Sequence, residues 1–143
     1  MTHREAVAYV EGLEVLGIRF GLERMRSLMA RLGNPERAFR AVHVVGSNGK
    51  SSTTRLAAAA LGSQGLRAGA YLSPHVSGWR ERIEVAGRAV SPSRFAAAVS
   101  AVREAAGSLP RPADERPTQF EVLTAAAFLT FAEDRCEVAV VEA

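Results

Sequence analysis

A glycine-containing loop between an apolar run and an alanine-rich segment is the feature that most constrains the fold. The apolar run AVHVV covers residues 41–45, and the helical segment begins near Thr53. A short, continuously apolar run is typical of a strand buried on both faces of a parallel sheet, so we expect His43 in the core. Residues 67–72 (RAGAYL) are a second strand candidate. Together these segments predict a βαβ unit with two parallel strands and a right-handed crossover.

The loop in this unit contains the chain's one lysine, Lys50, whereas the other seventeen cationic side chains are arginines. Glycines let a backbone turn tightly and direct N–H groups inward, and the next helix adds the positive end of its dipole. A lysine can then reach the outer phosphates as a slender point charge. The loop is shorter than the common phosphate loop, because Val44 stands where that pattern has its first glycine. We therefore predict that ATP binds at Gly46, Ser47, Asn48, Gly49, Lys50, Ser51 and Ser52.

Two polar residues follow strand candidates elsewhere in the chain. Ser73 comes directly after the second strand, and Glu142 ends a third apolar strand, residues 137–142 (EVAVVE). The carboxyl ends of parallel strands meet at the edge where open α/β sheets bind ligands. An acid in this position commonly holds the magnesium of a bound nucleotide. The spacing predicts a nucleotide–magnesium site and leaves open whether Ser51 or Ser52 supplies a further hydroxyl.

Composition excludes several other classes of protein. The 143 residues carry a net charge of +3, but the arginines are scattered among nearly as many acids, which argues against nucleic-acid binding. No stretch of about 18 apolar residues occurs, and the N-terminus does not resemble a signal peptide. A single cysteine, Cys136, allows no internal disulfide and suits a reducing compartment, where it fills space in the core. We expect a cytoplasmic protein without membrane contact.

Apolar periodicity and capping residues predict the remaining elements. Helical stripes cover residues 4–16 and 22–32, and residues 82–90 form a hairpin that turns at Ala86 and Gly87. Ser91 precedes Pro92 at the start of a helix that runs to about residue 106. A capping box formed by Thr118 and Glu121 opens a long apolar helix that ends near residue 134.

These segments, in this order, resemble the N-terminal part of the folylpolyglutamate synthase/dihydrofolate synthase family, which is of the Mur-ligase type. The resemblance covers almost all of the chain. It implies an α/β fold with a parallel sheet, a phosphate loop and N-terminal helices. The motifs that carry it are GLERMRSLMARLGNP, HVVGSNGKSS, AYLSPHV, RERIEVAGRAVS, TQFEVLTAAAFLTFA and EVAVVEA. The phosphate loop alone fits any Mur ligase, and the other motifs favour the folate branch.

The resemblance implies an ATP-dependent amide ligase. ATP would phosphorylate a carboxylate of dihydropteroate or of a folate, and the amine of L-glutamate would then attack the acyl phosphate. Lys50 and its loop would hold the phosphates, and Ser73 and Glu142 would bind magnesium. The family has glycine at position 51, which favours Ser52 as the metal-binding hydroxyl. The pterin-bearing substrate would lie near two segments, Gly12, Leu13, Glu14 and Val15, and Thr118, Gln119, Phe120 and Glu121. Thr118 and Glu121 could equally serve only as a helix cap.

The family sequence continues beyond the strand that ends at Glu142, into a glycine-rich segment, further strands and a C-terminal domain. We therefore expect residues 1–143 to be the N-terminal part of the ATP-binding domain of a protein that is monomeric at full length. The chain alone would be poorly stable, with exposed sheet edges, and would show no ligase turnover. Two alternatives remain, a Mur-type ligase acting on a cell-wall precursor and a nucleotide-binding module without chemistry.

Overall fold

The computed structural model of the chain describes residues 1–13, 22–109 and 117–143. The helices in these ranges are α1 (His3–Glu11), α2 (Glu23–Arg31), α3 (Lys50–Ser63), α4 (Pro92–Gly107) and α5 (Gln119–Glu133). The strands are β1 (Arg40–Val44), β2 (Ala68–Tyr71), β3 (Ile83–Val85), β4 (Arg88–Ala89) and β5 (Val138–Glu142). Short 3-10 helices cover Pro35–Arg37 and Trp79–Arg82. No helix in these described ranges combines the length and the apolar character needed to cross a bilayer.

The strands form one mixed sheet in the order β1-β5-β2-β3-β4. β5 pairs in parallel with both β1 and β2, so the prediction that β1 and β2 are parallel is confirmed, although β5 lies between them. The predicted hairpin is also present. Its turn contains Ala86 and Gly87 with φ values of 50° and 74°, and its first strand extends the sheet by pairing antiparallel with β2. The sheet is therefore parallel at its centre and antiparallel at one side.

The core lies between the sheet and three helices. α4 and α5 pack on each other, α1 packs on both, and α5 reaches the sheet at β2. The large side chains at the centre of this layer, Tyr71, Phe95 and Phe131, are fully buried. Cys136, in the connection between α5 and β5, is also buried, as predicted. This layer holds the central strands in position.

Helix starts follow the predicted capping chemistry. The Ser91 side chain accepts a hydrogen bond from the backbone N–H of Arg94, with Pro92 at the first helical position. Thr118 and Glu121 form the complete capping box at the start of α5. α3 begins at Lys50, earlier than predicted, because Gly49 adopts a left-handed conformation (φ 72°) and turns the chain into the helix. Lys50 and the two serines after it consequently belong to the first helical turn.

The prediction of a fully buried β1 with a core histidine is wrong. β1 pairs only with β5 and forms an edge of the sheet, and His43 is exposed. Val42 and Val45 retain 43% and 68% of their accessible surface, and Leu56 on the neighbouring α3 retains 71%. An apolar run indicates that its side chains are suited to burial. In the part of the chain that the structure describes, however, no element covers the exposed side chains of β1. The predicted exposure of sheet edges is confirmed at β1, and apolar side chains are exposed beside it.

Candidate nucleotide and cation site

The predicted phosphate loop connects the end of β1 to the start of α3. Residues 45–49 are exposed, and the backbone N–H groups of the first turn of α3 have no partners within the helix. The ammonium of Lys50 does not extend away from the loop. Its Nζ donates a hydrogen bond of 2.8 Å to the carbonyl oxygen of Gly46, across the loop. The positive charge is thus held over the same backbone that would surround an anion.

The carboxylate of Glu142 lies beside this helix turn. β5 is the central parallel strand, and Glu142 is level with Val44, the last residue of β1. Its Oε2 accepts hydrogen bonds from the hydroxyl of Ser51 at 2.8 Å and from the backbone N–H of Ser73 at 3.2 Å. The Ser51 hydroxyl is also 3.3 Å from the carbonyl oxygen of Ser73. The predicted meeting of residues from the ends of three parallel strands is therefore present in the structure.

The electrostatics of Glu142 are unusual for a buried acid. The residue is only 4% exposed, and none of the ion pairs found among the described residues involves it. A buried carboxylate held by neutral donors alone is costly, and a nearby cation reduces that cost. The surrounding groups are oxygens of hydroxyl, carbonyl and carboxylate type, which suit a hard divalent cation such as Mg²⁺. The residues present therefore fit the metal ion that the sequence predicts.

The described part of the chain contains no cluster of three or more His, Cys, Asp or Glu side chains that could hold a metal by themselves. A cation beside Glu142 would need hydroxyl groups, water or phosphate oxygens to complete its shell of about six ligands. This requirement favours a site that is shared with a phosphorylated ligand. Ser47, Asn48 and Ser52, the other predicted loop contacts, are exposed and accessible to such a ligand.

The second predicted substrate segment is engaged mainly in internal contacts. The side chain of Glu121 closes the capping box with Thr118 and also pairs with Arg24, whose Nε lies 2.8 Å from Oε2. Gln119 donates from Nε2 to the carbonyl oxygen of Val10 at 3.0 Å. Phe120, in contrast, is 59% exposed. The capping interpretation is confirmed for Thr118 and Glu121, and substrate contact by this segment stays a prediction.

The first predicted substrate segment lies next to the second. The hydrogen bond between Gln119 and Val10 joins the start of α5 to the end of α1, which is followed by Gly12 and Leu13. Leu13 and Pro117 both line a cavity of about 710 Å³, together with residues of α1 and α4. Glu14 and Val15, the other residues predicted there, lie outside the described residues. The structure thus brings the described parts of both segments together.

A further cluster, in the loop after Ser73, was not predicted as functional. The Arg82 Nε donates to His75 Nδ1 at 3.0 Å, and its guanidinium lies 4.9 Å from the centre of the Trp79 ring. The rings of His75 and Trp79 are 4.2 Å apart, and Trp79 Nε1 donates to Glu11 at 3.3 Å. Burial, followed by the charge of Arg82, lowers the pKa of His75. The one sequence signal for this cluster was the single tryptophan, Trp79. The contacts themselves depend on how the loop folds, which the residue spacing does not predict.

The fold and the position of the loop define the class of protein. A glycine-containing loop follows a parallel strand and leads into a helix, at the carboxyl edge of a sheet whose central strand ends in an acid. This is the arrangement of α/β proteins with a phosphate-loop topology. Comparison with known proteins makes the class more specific.

No protein-family model matches the chain. The chain is 39% identical over 131 residues to the dihydrofolate synthase/folylpolyglutamate synthase of Bacillus subtilis, covering 92% of the chain and 30% of that protein. It is 34% identical over 143 residues to the folylpolyglutamate synthase of Lacticaseibacillus casei, covering 99% of the chain and 33% of that protein. The chain therefore spans about a third of the length of these curated relatives.

Solved structures agree with the sequence comparison. The chain superimposes on the FPGS–AMPPCP–folate complex with a TM-score of 0.92 and 35% identity, covering 99% of the chain and 35% of that structure. For Mycobacterium tuberculosis folylpolyglutamate synthase complexed with ADP, the TM-score is 0.87 and the identity 33%, over 98% of the chain and 32% of that structure. The resemblance inferred from the motifs is confirmed, and so is the Mur-ligase type of α/β fold.

Proposed function

We propose that this chain is the N-terminal part of the ATP-binding domain of an ATP-dependent ligase that joins L-glutamate to a folate-type carboxylate. The observation that carries the proposal is the contact of Ser51, Ser73 and Glu142 at the carboxyl edge of the parallel strands, directly after the loop that Lys50 spans. Similarity to folylpolyglutamate and dihydrofolate synthases supports the choice of reaction. A neighbour solved with AMPPCP and folate supports the choice of ligands.

In this proposal the residues of the chain act by binding and orientation. Gly46 to Ser52 surround the phosphates of ATP, and Lys50 exchanges its hydrogen bond with the Gly46 carbonyl for one with a phosphate oxygen. Ser73 and Glu142, with a hydroxyl from Ser51 or Ser52, hold the magnesium ion, which when bound neutralises charge on the phosphates. Rate enhancement in phosphoryl transfer comes mainly from such positioning and charge stabilisation.

The proposed reaction has two steps. The γ-phosphoryl group passes from ATP to the carboxylate of dihydropteroate or of a folate, giving ADP and an acyl phosphate. The amine of L-glutamate then attacks the acyl carbon, and phosphate leaves as the amide forms. We propose that the pterin-bearing substrate lies near Gly12 and Leu13 and near Phe120, because the structure brings these segments together beside a large cavity. A cytoplasmic location and a monomeric full-length protein remain predictions.

The test is a ligase assay on the full-length protein that carries this chain. ADP release and amide formation are measured with L-glutamate and either dihydropteroate, a folate or a UDP-sugar acid. We expect glutamate-dependent ADP release with dihydropteroate or a folate. Glu142→Gln should reduce that rate by at least about a hundredfold, because the amide cannot neutralise a cation. Glu133→Gln is the control, at an exposed acid of α5 that pairs with Arg94 away from the loop, and should leave the rate unchanged.

Two outcomes would contradict the proposal. Activity with the UDP-sugar acid alone would place the chain in a cell-wall precursor ligase. Nucleotide binding without ADP release for any of the three acceptors would indicate a binding module without chemistry.

A further inference from the structure

We propose that Ser51 is a direct ligand of the divalent cation in this chain, in preference to Ser52. The inference rests on the proposed function, since it concerns the cation of the same nucleotide site. It departs from the family pattern described above, in which position 51 is glycine and position 52 supplies the hydroxyl. The structure distinguishes the two serines by the side of α3 on which each lies.

The side of α3 that faces the sheet contains Ser51. On a helix, residues three positions apart share a face, and adjacent residues are separated by about 100°. Thr54, three positions after Ser51, is completely buried, whereas Leu56, four positions after Ser52, is 71% exposed. Ser51 is half-buried and Ser52 is exposed. Moving Ser52 to the carboxylate would require rotation of the first turn of α3.

The Ser51 hydroxyl already lies among the groups that would bind the ion. It is 2.8 Å from Glu142 Oε2 and 3.3 Å from the carbonyl oxygen of Ser73. A hydroxyl that donates its single proton to a carboxylate keeps two lone pairs as acceptors. A cation placed between Ser51, Glu142 and the phosphates can therefore be bound by the hydroxyl oxygen without loss of the hydrogen bond to the acid.

The position of Ser51 relative to Lys50 provides a second argument. In phosphate loops generally, the hydroxyl that ligates magnesium belongs to the residue directly after the lysine. Lys50 is the first residue of α3, and Ser51 follows it in the first turn. The lysine side chain reaches back over the loop to Gly46, while the serine side chain reaches towards the end of β5. Anion and cation would thus be bound by consecutive residues.

The test measures cation binding separately from activity. Mn²⁺ serves as the probe, and the free ion is titrated by electron paramagnetic resonance in the full-length protein with saturating AMPPCP. Ser51→Ala should weaken Mn²⁺ binding by at least about tenfold, and Ser51→Thr, which keeps the hydroxyl, should retain it. Ser52→Ala is the matched control and should change the affinity less than twofold. AMPPCP affinity in the presence of EDTA should stay the same for all variants.

A second variant distinguishes a ligand from a residue that only orients Glu142. Ser51→Cys should shift the preference of the site from Mn²⁺ to Cd²⁺ by at least about tenfold, because a thiolate is a soft ligand. Ser52→Cys should not. Retained nucleotide binding with unchanged Mn²⁺ affinity in Ser51→Ala, or a larger loss in Ser52→Ala, would overturn this inference alone. Failure of the unaltered protein to bind Mn²⁺ and AMPPCP would overturn the proposed function with it.

Discussion

A phosphate-binding role is predicted for Lys50 because it is the one lysine in a chain that otherwise uses arginine. Seventeen of the eighteen Lys and Arg side chains are arginines, so the chain uses lysine only where the predicted phosphate loop enters a helix. A guanidinium is planar and presents a wide fork of donors, whereas an ammonium is compact and lies on a flexible stem. The structure places that ammonium 2.8 Å from a loop carbonyl, where a phosphate oxygen could replace the carbonyl as its partner.

Replacing this lysine should therefore affect nucleotide binding specifically. We expect Lys50→Ala to weaken ATP binding in the presence of Mg²⁺ by at least about tenfold, because a charge-assisted hydrogen bond to phosphate is lost. Isothermal titration calorimetry provides the measurement. Arg55→Ala, one turn further along α3, is the control and should have little effect, because Arg55 pairs with Glu84 on the hairpin. Equal losses in both variants would contradict the assigned role of Lys50.

The buried thiol of Cys136 should make the stability of the fold depend on pH. Burial raises the pKa of this thiol from 9.0 to about 11. The unfolded thiol thus loses its proton at a lower pH than the folded one, so the free energy of unfolding must decrease as the pH rises from 9.0 to about 11. Well below pH 9.0 both states are protonated and the contribution is constant.

Urea denaturation at several pH values between 8 and 11 tests this expectation. Burial also raises the pKa of Tyr71, which contributes to the pH dependence of the unaltered chain. Comparison with Cys136→Ala isolates the thiol, and the variant should show the smaller decrease. Identical slopes for the two proteins would show that the thiol titrates normally in the folded state.

At the scale of elements, α5 approaches the sheet closely at one glycine. Gly69 lies in the middle of β2, and a Cβ added there would be 2.6 Å from Cδ1 of Phe131, a fully buried ring on α5. The ring cannot move away without disturbing the core that positions β2 and β5. This close packing connects the helix layer to the strands whose ends form the candidate site.

Gly69→Ala should consequently destabilise the fold by about 1–3 kcal/mol through overpacking. Thermal unfolding monitored by circular dichroism measures the change. Gly62→Ala is the matched control, since Gly62 lies in helix α3 with nothing within 4 Å of an added Cβ. That substitution should leave stability unchanged or raise it by up to about 1 kcal/mol. A Gly69→Ala variant as stable as the control would contradict the packing described here.

The start of α5 allows structural and substrate-binding roles to be separated. Thr118→Ala should lower stability by about 1 kcal/mol, because the capping hydrogen bond to the N–H of Glu121 is lost. Phe120→Ala should leave stability within about 0.5 kcal/mol, since this ring is 59% exposed, and should raise the KM for the folate-type substrate. Thermal unfolding and steady-state kinetics of the full-length protein provide the two readouts. An unchanged KM in Phe120→Ala would exclude contact between this ring and the substrate.

Elements with strong local signals could be predicted from the sequence. The caps at Ser91 and Thr118, the turn at Ala86 and Gly87, and the buried β5 follow from local chemistry and were found as predicted. Exposed sheet edges were expected from the resemblance, but the position of β1 at an edge could not be predicted, because an apolar pattern does not report which neighbours are present. The contact between Ser51 and Glu142 joins residues that are far apart in sequence, so only the folded structure distinguishes Ser51 from Ser52.

At the scale of the whole molecule, the described residues contain a candidate nucleotide site and an exposed apolar sheet edge. The chain spans 30% and 33% of two curated relatives, so two thirds of their length has no counterpart in it. Val45 and Leu56, with 68% and 71% of their surface exposed, lie close to the candidate site. In a longer protein this apolar surface would be suited to packing against further elements.

We therefore expect the 143-residue chain alone to show no ligation of L-glutamate to dihydropteroate or a folate, whereas the full-length protein does so. Amide formation is measured for both proteins under the same conditions, with nucleotide binding as the control for folding. Turnover by the 143-residue chain would show that the reaction needs no residues beyond these 143.

A crystal structure of the full-length protein with AMPPCP and Mn²⁺ tests the central claim most directly, with the ion located by its anomalous scattering. The account predicts an ion within about 2.5 Å of the Glu142 carboxylate and of the Ser51 hydroxyl, with the Lys50 ammonium in contact with the phosphates. An ion or a triphosphate bound away from the ends of β1, β2 and β5 would contradict it.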